Sequence, residues 1–74
     1  MEGMKFVPGR IEVAAGDAIT WINVDFVPHS VTSKTVESGD LAQDGRWTWR
    51  AQGAGEMAYI CRLHPMMRGV VIVK

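Results

Sequence analysis

A chain of 74 residues with a single cysteine is long enough for one small domain and has no internal disulfide to stabilise it. Eight basic residues balance eight acidic ones and form no basic stripe, so the composition gives no indication of nucleic-acid binding. No apolar run approaches the roughly 20 residues that are needed to span a membrane. We therefore expect one domain over residues 1–74, with a bound metal as a candidate for additional stability.

Short alternating runs separated by turn residues predict β-strands along the whole chain. The predicted strands are residues 10–13, 18–24, 29–32, 46–50, 57–61 and 69–74. The last of them is almost continuously apolar, which predicts a central and well-covered strand. The longest loop-like stretch is the polar segment 33–45. About six or seven short strands without a helical stretch predict an all-β sandwich or barrel.

The residues that can carry chemistry are concentrated near the end of the chain. Cys61, His64 and Met67 follow one another at intervals of three residues, and His29 lies upstream. Each residue type alone is more often structural than a metal ligand. Here, however, the only cysteine and both histidines fall into one pattern, with a methionine at the axial spacing. Two histidines, a cysteine and a weak axial methionine form the ligand set of a blue-copper electron-transfer site.

Four functions are compatible with these residues. The first is a carrier of single electrons between redox proteins, which has no open metal position and is not an enzyme. The second is a module that stores or delivers copper without fast redox cycling. The third is a structural β-domain whose cysteine and histidines are incidental. The fourth is a hydrolase with Cys61 as nucleophile and His64 as base, for which no third orienting residue is visible.

Several segments resemble the cupredoxins, and within their plastocyanin-like group the amicyanins. Residues 16–23 read GDAITWIN and are similar to a GDTVTWIN strand, while residues 27–29, VPH, are similar to an MPH segment. Residues 61–69, CRLHPMMRG, resemble CTPHPFMRG with the same ligand spacing, and residues 4–6 resemble the family's first strand. The resemblance implies a cupredoxin-like Greek-key β-sandwich that lacks the N-terminal strand region of amicyanins.

The resemblance also implies one type 1 copper ion and its ligands. The implied ligands are His29, Cys61, His64 and Met67. Met67 is assigned as the axial ligand because the two-residue gap after His64 matches the family, and Met66 takes the place of an exposed phenylalanine. Ser30 stands where the family has an asparagine that braces the ligand loop, so we expect a weaker brace. Leu63 replaces a proline, and we expect its backbone N–H to reach the thiolate and raise the reduction potential.

Cupredoxins exchange electrons through the exposed edge of the loop histidine, here His64. The apolar residues expected around this edge, as a surface for partner docking, are Val27, Pro28, Leu63, Pro65 and Met66. Arg62 and Arg68 flank this surface and are expected to steer an acidic partner. The resemblance implies redox protein partners, namely a dehydrogenase and a c-type cytochrome. The chain is expected to be a monomer or an oligomer paired at a sheet edge.

The resemblance implies a periplasmic location. The first ten residues, MEGMKFVPGR, lack the apolar stretch of a secretory signal. Two alternatives follow, a cytoplasmic chain or a chain from which the signal has been removed.

Overall fold

A computed structural model of the protein describes all 74 residues and contains five strands. They are β1 (Arg10–Val13), β2 (Ala18–Ile22), β3 (Arg46–Arg50), β4 (Gly55–Ile60) and β5 (Arg68–Val73). One sheet has the order β1-β5-β4, with β1 parallel and β4 antiparallel to β5, and the other pairs β2 antiparallel with β3. The predicted all-β sandwich is confirmed, and β5 has the central position that its apolar sequence predicted. No helix in the structure has the length and apolarity required to cross a bilayer.

Two further segments predicted as strands are present only as isolated bridges. In the segment 29–32, His29 pairs with Leu41, and Thr32 exchanges two backbone hydrogen bonds of 2.9 Å with Ile60. The second pair places this segment beside the last residue of β4, immediately before Cys61. Residues 4–6 do not form a strand, because a bridge between Glu2 and Lys5 closes a tight turn there.

The core is organised around three aromatic side chains. Alternation along β2 buries Ile19 and Trp21. The Trp21 indole N–H donates to the Tyr59 hydroxyl at 3.4 Å, and the two rings meet edge to face at 5.4 Å. Phe6 also packs edge to face against Tyr59, with 4.7 Å between ring centroids. Burial raises the pKa of Tyr59, so its neutral hydroxyl joins the two sheets through Trp21.

Glycine at residue 69 is required by a close approach of the Tyr59 ring. The two residues are register partners on β4 and β5. A Cβ at residue 69 would lie 2.6 Å from Tyr59 Cε2 and closer still to the ring carbon that bears the hydroxyl. Any residue with a Cβ would overlap the ring, so only glycine fits at residue 69, near the start of β5.

Candidate metal centre

The first loop of the site, residues 61–67, connects β4 to β5 and carries three of the four predicted ligands. The Cys61 amide donates to the Met67 carbonyl at 3.1 Å, and the His64 amide donates to the Cys61 carbonyl at 3.2 Å. The Met67 amide donates to the His64 carbonyl at 2.9 Å. The three-residue spacing therefore forms two consecutive hydrogen-bonded turns, which hold Cys61, His64 and Met67 in one compact loop.

The second loop leads from β2 to His29 and is held by Asn23, whose side chain is fully buried. The Asn23 amide group donates to the carbonyls of Val27, at 3.0 Å, and Leu41, at 2.8 Å. Its side-chain oxygen accepts from the Asp25 amide at 2.9 Å. A buried asparagine with three partners is satisfied, and it fixes the path of the backbone that presents His29.

These two loops bring the ligand atoms of His29, Cys61 and His64 within 4.8 Å of one another. Cys61 Sγ is 3.7 Å from His29 Nδ1 and 3.6 Å from His64 Nδ1. The two imidazole rings have centroids 5.1 Å apart and cross at 74°. His29 and Cys61 have no exposed surface, whereas His64 is half-buried. The histidine from the distant segment thus lies against the sulfur of the ligand loop.

The spacing of these atoms fits a metal ion bound between them. For zinc, another first-row metal, bonds are about 2.0 Å to nitrogen and about 2.3 Å to sulfur, which puts the two atoms about 3.5 Å apart at a tetrahedral angle and about 3.7 Å apart at a trigonal one. The observed separations of 3.6 and 3.7 Å fall in this interval. In both histidines the sulfur is the only polar contact of Nδ1. A soft thiolate with two imidazoles is the donor set that copper uses in both oxidation states.

The two adjacent methionines have opposite environments. Met67 is 4% exposed and belongs to the buried core, whereas Met66 is 93% exposed. The backbone of Met67 is hydrogen-bonded to both Cys61 and His64. These facts favour Met67 as the axial ligand, while Met66 has the exposed position that the resemblance implied for it.

The hydrogen-bond donor to the cysteine sulfur comes from the other loop. The Ser30 amide donates to Cys61 Sγ at 3.4 Å, whereas the Leu63 amide makes no hydrogen bond to the sulfur. The hydrogen bond expected from the Leu63 amide is therefore not present in the structure, and the Ser30 amide is the donor instead. The Ser30 hydroxyl also accepts from the Arg62 amide at 2.9 Å, so serine does brace the ligand loop.

Asp25 is a residue of the site that the sequence analysis missed. Its carboxylate is 2.8 Å from His29 Nε2 and accepts hydrogen bonds from the amides of Met4 and Gly3. These bonds, with Met4 contributing most and His29 next, lower the pKa of Asp25 to about 2. The sequence did contain a signal for this role, since Asp25 is an acidic residue four positions before a candidate ligand histidine. Metal-binding histidines commonly donate their second ring N–H to a carboxylate.

The residues predicted for partner docking are all exposed at the surface. Val27 is 41%, Leu63 38% and Met66 93% exposed, and Pro28 and Pro65 are exposed as well. The sequence analysis omitted Phe26, which is 89% exposed on the same loop as Val27. Exposed apolar side chains are thus present on both loops that carry predicted ligands.

Arg62, which was expected to steer an acidic partner, forms ion pairs within the protein itself. Its guanidinium pairs with the Asp40 carboxylate and lies 3.7 Å from Glu37 Oε1. Arg68, in contrast, forms no ion pair in the structure. Arg62 therefore joins the ligand loop to the segment 33–45, and Arg68 alone of the two remains available to an acidic partner.

The carboxylate of Glu37 gives the metal-free protein a testable pH dependence. The Gly39 amide, the Thr32 hydroxyl and Arg62 lower the pKa of Glu37 below its ordinary value of 4.5. Its stabilising contribution is therefore complete above pH 4.5 and is lost as the pH falls through the lowered pKa. We expect Glu37→Gln to flatten the fall in melting temperature between neutral pH and about pH 3. Glu56→Gln, at an exposed glutamate without an ion pair, should retain the wild-type slope; equal slopes in all three proteins would contradict the assignment.

Comparison with known proteins identifies the class. The whole chain, residues 1–74, matches the sequence model of the copper binding proteins of the plastocyanin/azurin family. The chain therefore belongs to this family and is a cupredoxin, with copper as its cofactor.

Within the family it is similar to amicyanins. It is 33% identical over 78 residues to amicyanin-alpha of Methylorubrum extorquens, covering 96% of this chain and 66% of the relative. It is 35% identical over 78 residues to amicyanin of Paracoccus denitrificans, covering 96% and 60%.

Solved structures show the same relationship. The chain superposes on a reduced tryptophan-to-tyrosine variant of amicyanin with a TM-score of 0.96 and 27% identity, covering 100% of this chain and 77% of the other. A reduced Cu(I) form of another amicyanin variant at pH 4 gives a TM-score of 0.97 at the same identity and coverage. The chain spans 60 to 66% of the length of the curated relatives that it matches.

Proposed function

We propose that this chain is a carrier of single electrons that binds one type 1 copper ion through His29, Cys61, His64 and Met67. Copper supplies the Cu(I)/Cu(II) couple when it is bound. The observation that carries the proposal is the convergence of two imidazole nitrogens on one buried thiol at 3.6 and 3.7 Å. In this assignment no ligand position is left open for a substrate, and the protein is not an enzyme.

The two histidines have different tasks in this proposal. His29 is fully buried and held by Asp25, so it anchors the site to the sandwich. His64 is half-buried, and its Nε2 makes no hydrogen bond within the protein. An electron would therefore enter and leave through the outer edge of His64. The thiol of Cys61, excluded from water, is protected from competing reactions with solvent.

The surface around His64 is the proposed docking site for redox proteins. Its apolar members are Val27, Pro28, Leu63, Pro65 and Met66, and Phe26 extends it. Small apolar interfaces suit short-lived redox encounters, because rapid dissociation is needed after each transfer. By resemblance, the partners include a dehydrogenase and a c-type cytochrome, and the location is periplasmic.

A copper titration of the metal-free protein tests the proposal. One equivalent of copper(II) should give an intense blue thiolate charge-transfer band, which a one-electron reductant bleaches and a one-electron oxidant restores over repeated cycles. A colourless or weakly coloured complex that releases copper readily would instead indicate storage or delivery. Cys61→Ser should bind without the blue band, because it removes the thiolate that produces the colour.

The adjacent methionines provide a matched pair for the axial position. Met67→Leu should raise the reduction potential by about 60 mV or more, a tenfold change in a one-electron equilibrium, because it removes the axial thioether that tunes the potential. Met66→Leu changes a side chain that is 93% exposed and should leave the spectrum and potential at wild-type values. The opposite result, with Met66→Leu altering the potential and Met67→Leu silent, would reverse the ligand assignment. Both measurements use protein-film voltammetry on the copper-loaded variants.

A further inference from the structure

One carboxylate joins two parts of the chain that are far apart in sequence. Asp25 Oδ2 lies 2.8 Å from His29 Nε2 and accepts from the Met4 amide at 3.0 Å. Asp25 Oδ1 accepts from the Gly3 amide at 2.9 Å. Asp25 pairs with no lysine or arginine, and its side chain is 18% exposed. The imidazole and the two amides are therefore the hydrogen-bonding partners of this carboxylate.

The two amides belong to a tight turn, residues 2–5, that is closed by backbone hydrogen bonds between Glu2 and Lys5. Gly3 and Met4 have φ values of 61° and 63°, so both are in the left-handed region. For Met4, this conformation is unfavourable because it brings the Cβ close to the following carbonyl oxygen. Successive amides in a turn can face the same anion, and here both donate to Asp25. The carboxylate thus helps to hold a turn that is strained at Met4.

The same carboxylate also decides which nitrogen of His29 carries the proton. A carboxylate only accepts hydrogen bonds, so a neutral imidazole bonded to it must bear its hydrogen on Nε2. The lone pair is then on Nδ1, which faces Cys61 Sγ at 3.7 Å. The other tautomer would place a lone pair against the carboxylate and an N–H where a metal ligand is needed. The ring has no exposed surface, and Asp25 is the only hydrogen-bonding partner of His29 Nε2 in the structure.

We propose that Asp25 is a positioning residue that couples the turn of residues 2–5 to the buried imidazole of His29. The turn fixes the carboxylate, and the carboxylate fixes the tautomer and orientation of the ring. The role of His29 as a copper ligand rests on the proposed function, whereas the coupling is a property of the metal-free protein. The turn, which supplies no ligand, thereby becomes a determinant of metal affinity.

The tautomer can be measured directly in the metal-free protein. Long-range proton–nitrogen NMR correlations should show His29 protonated on Nε2 in the wild type. Asp25→Asn is nearly isosteric, but its amide can donate to Nε2, so the single Nε2–H state should be lost. Copper affinity should fall about 10- to 100-fold. An unchanged tautomer and unchanged affinity in Asp25→Asn would overturn the proposal.

A second pair of variants tests the part played by the turn. Gly3 and Gly16 both have positive φ values, 61° and 96°, and a Cβ at either position would meet open space. Valine therefore strains both turns, but only Gly3 donates to Asp25. Gly3→Val should reproduce the tautomer change of Asp25→Asn in part, and Gly16→Val should not; equal tautomers in the two would overturn the coupling. If the tautomer responds as expected but the wild type forms no blue copper complex, the proposed function fails and the coupling stands.

Discussion

Copper at a thousandfold excess over its dissociation constant should raise the melting temperature of the metal-free protein by about 15 to 30 °C. A ligand that binds only the native state at this excess adds about 4 kcal/mol, and each kcal/mol shifts the melting temperature of a domain this size by about 4 to 8 °C. The effect is large because only 15 of 74 residues are buried, so the core alone provides little reserve. Differential scanning calorimetry with and without copper(I), under reducing conditions, measures it.

Cys61→Ser is the matched control for this stabilisation. The side chain is fully buried, and serine differs from cysteine by one atom, so the metal-free variant should melt near the metal-free wild type. Copper should raise its melting temperature much less, because the soft thiolate that favours copper(I) is gone. An equal rise in the melting temperature of both proteins would show that the stabilising copper binds at a site that does not include Cys61. No rise in the wild type would contradict a copper site at Cys61.

Gly69→Ala should destabilise the protein by about 3 kcal/mol or more, at the upper end of the usual cost of overpacking. The new methyl group would lie 2.6 Å from Tyr59 Cε2. Tyr59 cannot move aside easily, because Phe6 and Trp21 pack against its ring. Against a total stability of about 5 to 15 kcal/mol, such a loss shifts the denaturant midpoint strongly, as urea titration followed by tryptophan fluorescence would show.

Gly9→Ala separates the overlap from the general effect of replacing glycine. A Cβ at residue 9 has its nearest contact at 3.8 Å, and this glycine does not have a positive φ. Alanine there should be neutral or stabilising by up to about 1 kcal/mol through the unfolded chain. A double-mutant cycle with Tyr59→Leu should recover part of the loss at residue 69, since the two residues share one space. Equal destabilisation by Gly9→Ala and Gly69→Ala would contradict the packing argument.

The parts of the fold and site that could be predicted from sequence are those with local causes. Alternation along β2 and β3 is set by neighbouring residues, so Ile19 and Trp21 could be predicted to share a face of β2, and Trp47 and Trp49 a face of β3. Three of the predicted ligands lie within seven residues, and their side-chain chemistry is specific to soft metals. The segment 29–32 was harder, because its pairing with Leu41 and Ile60 depends on contacts distant in sequence.

The features that sequence reasoning missed depend on how loops meet in space. The Arg62 guanidinium forms an ion pair with Asp40, a residue in a segment for which the sequence predicted only a loop. The donor to the thiol is the Ser30 amide, from a loop distant in sequence, and not the Leu63 amide. The contact between Asp25 and the amides of Gly3 and Met4 requires a left-handed turn, which the methionine in it did not suggest.

The backbone hydrogen bonds that tie Cys61 to Met67 and His64 have a consequence for kinetics. These bonds join backbone groups and do not depend on the charge of a bound copper ion. The loop of residues 61–67 should therefore keep its shape when that charge changes by one unit. For the proposed electron carrier, nuclear reorganisation during electron exchange should therefore be small. The exchange rate would then be governed by donor–acceptor separation and driving force.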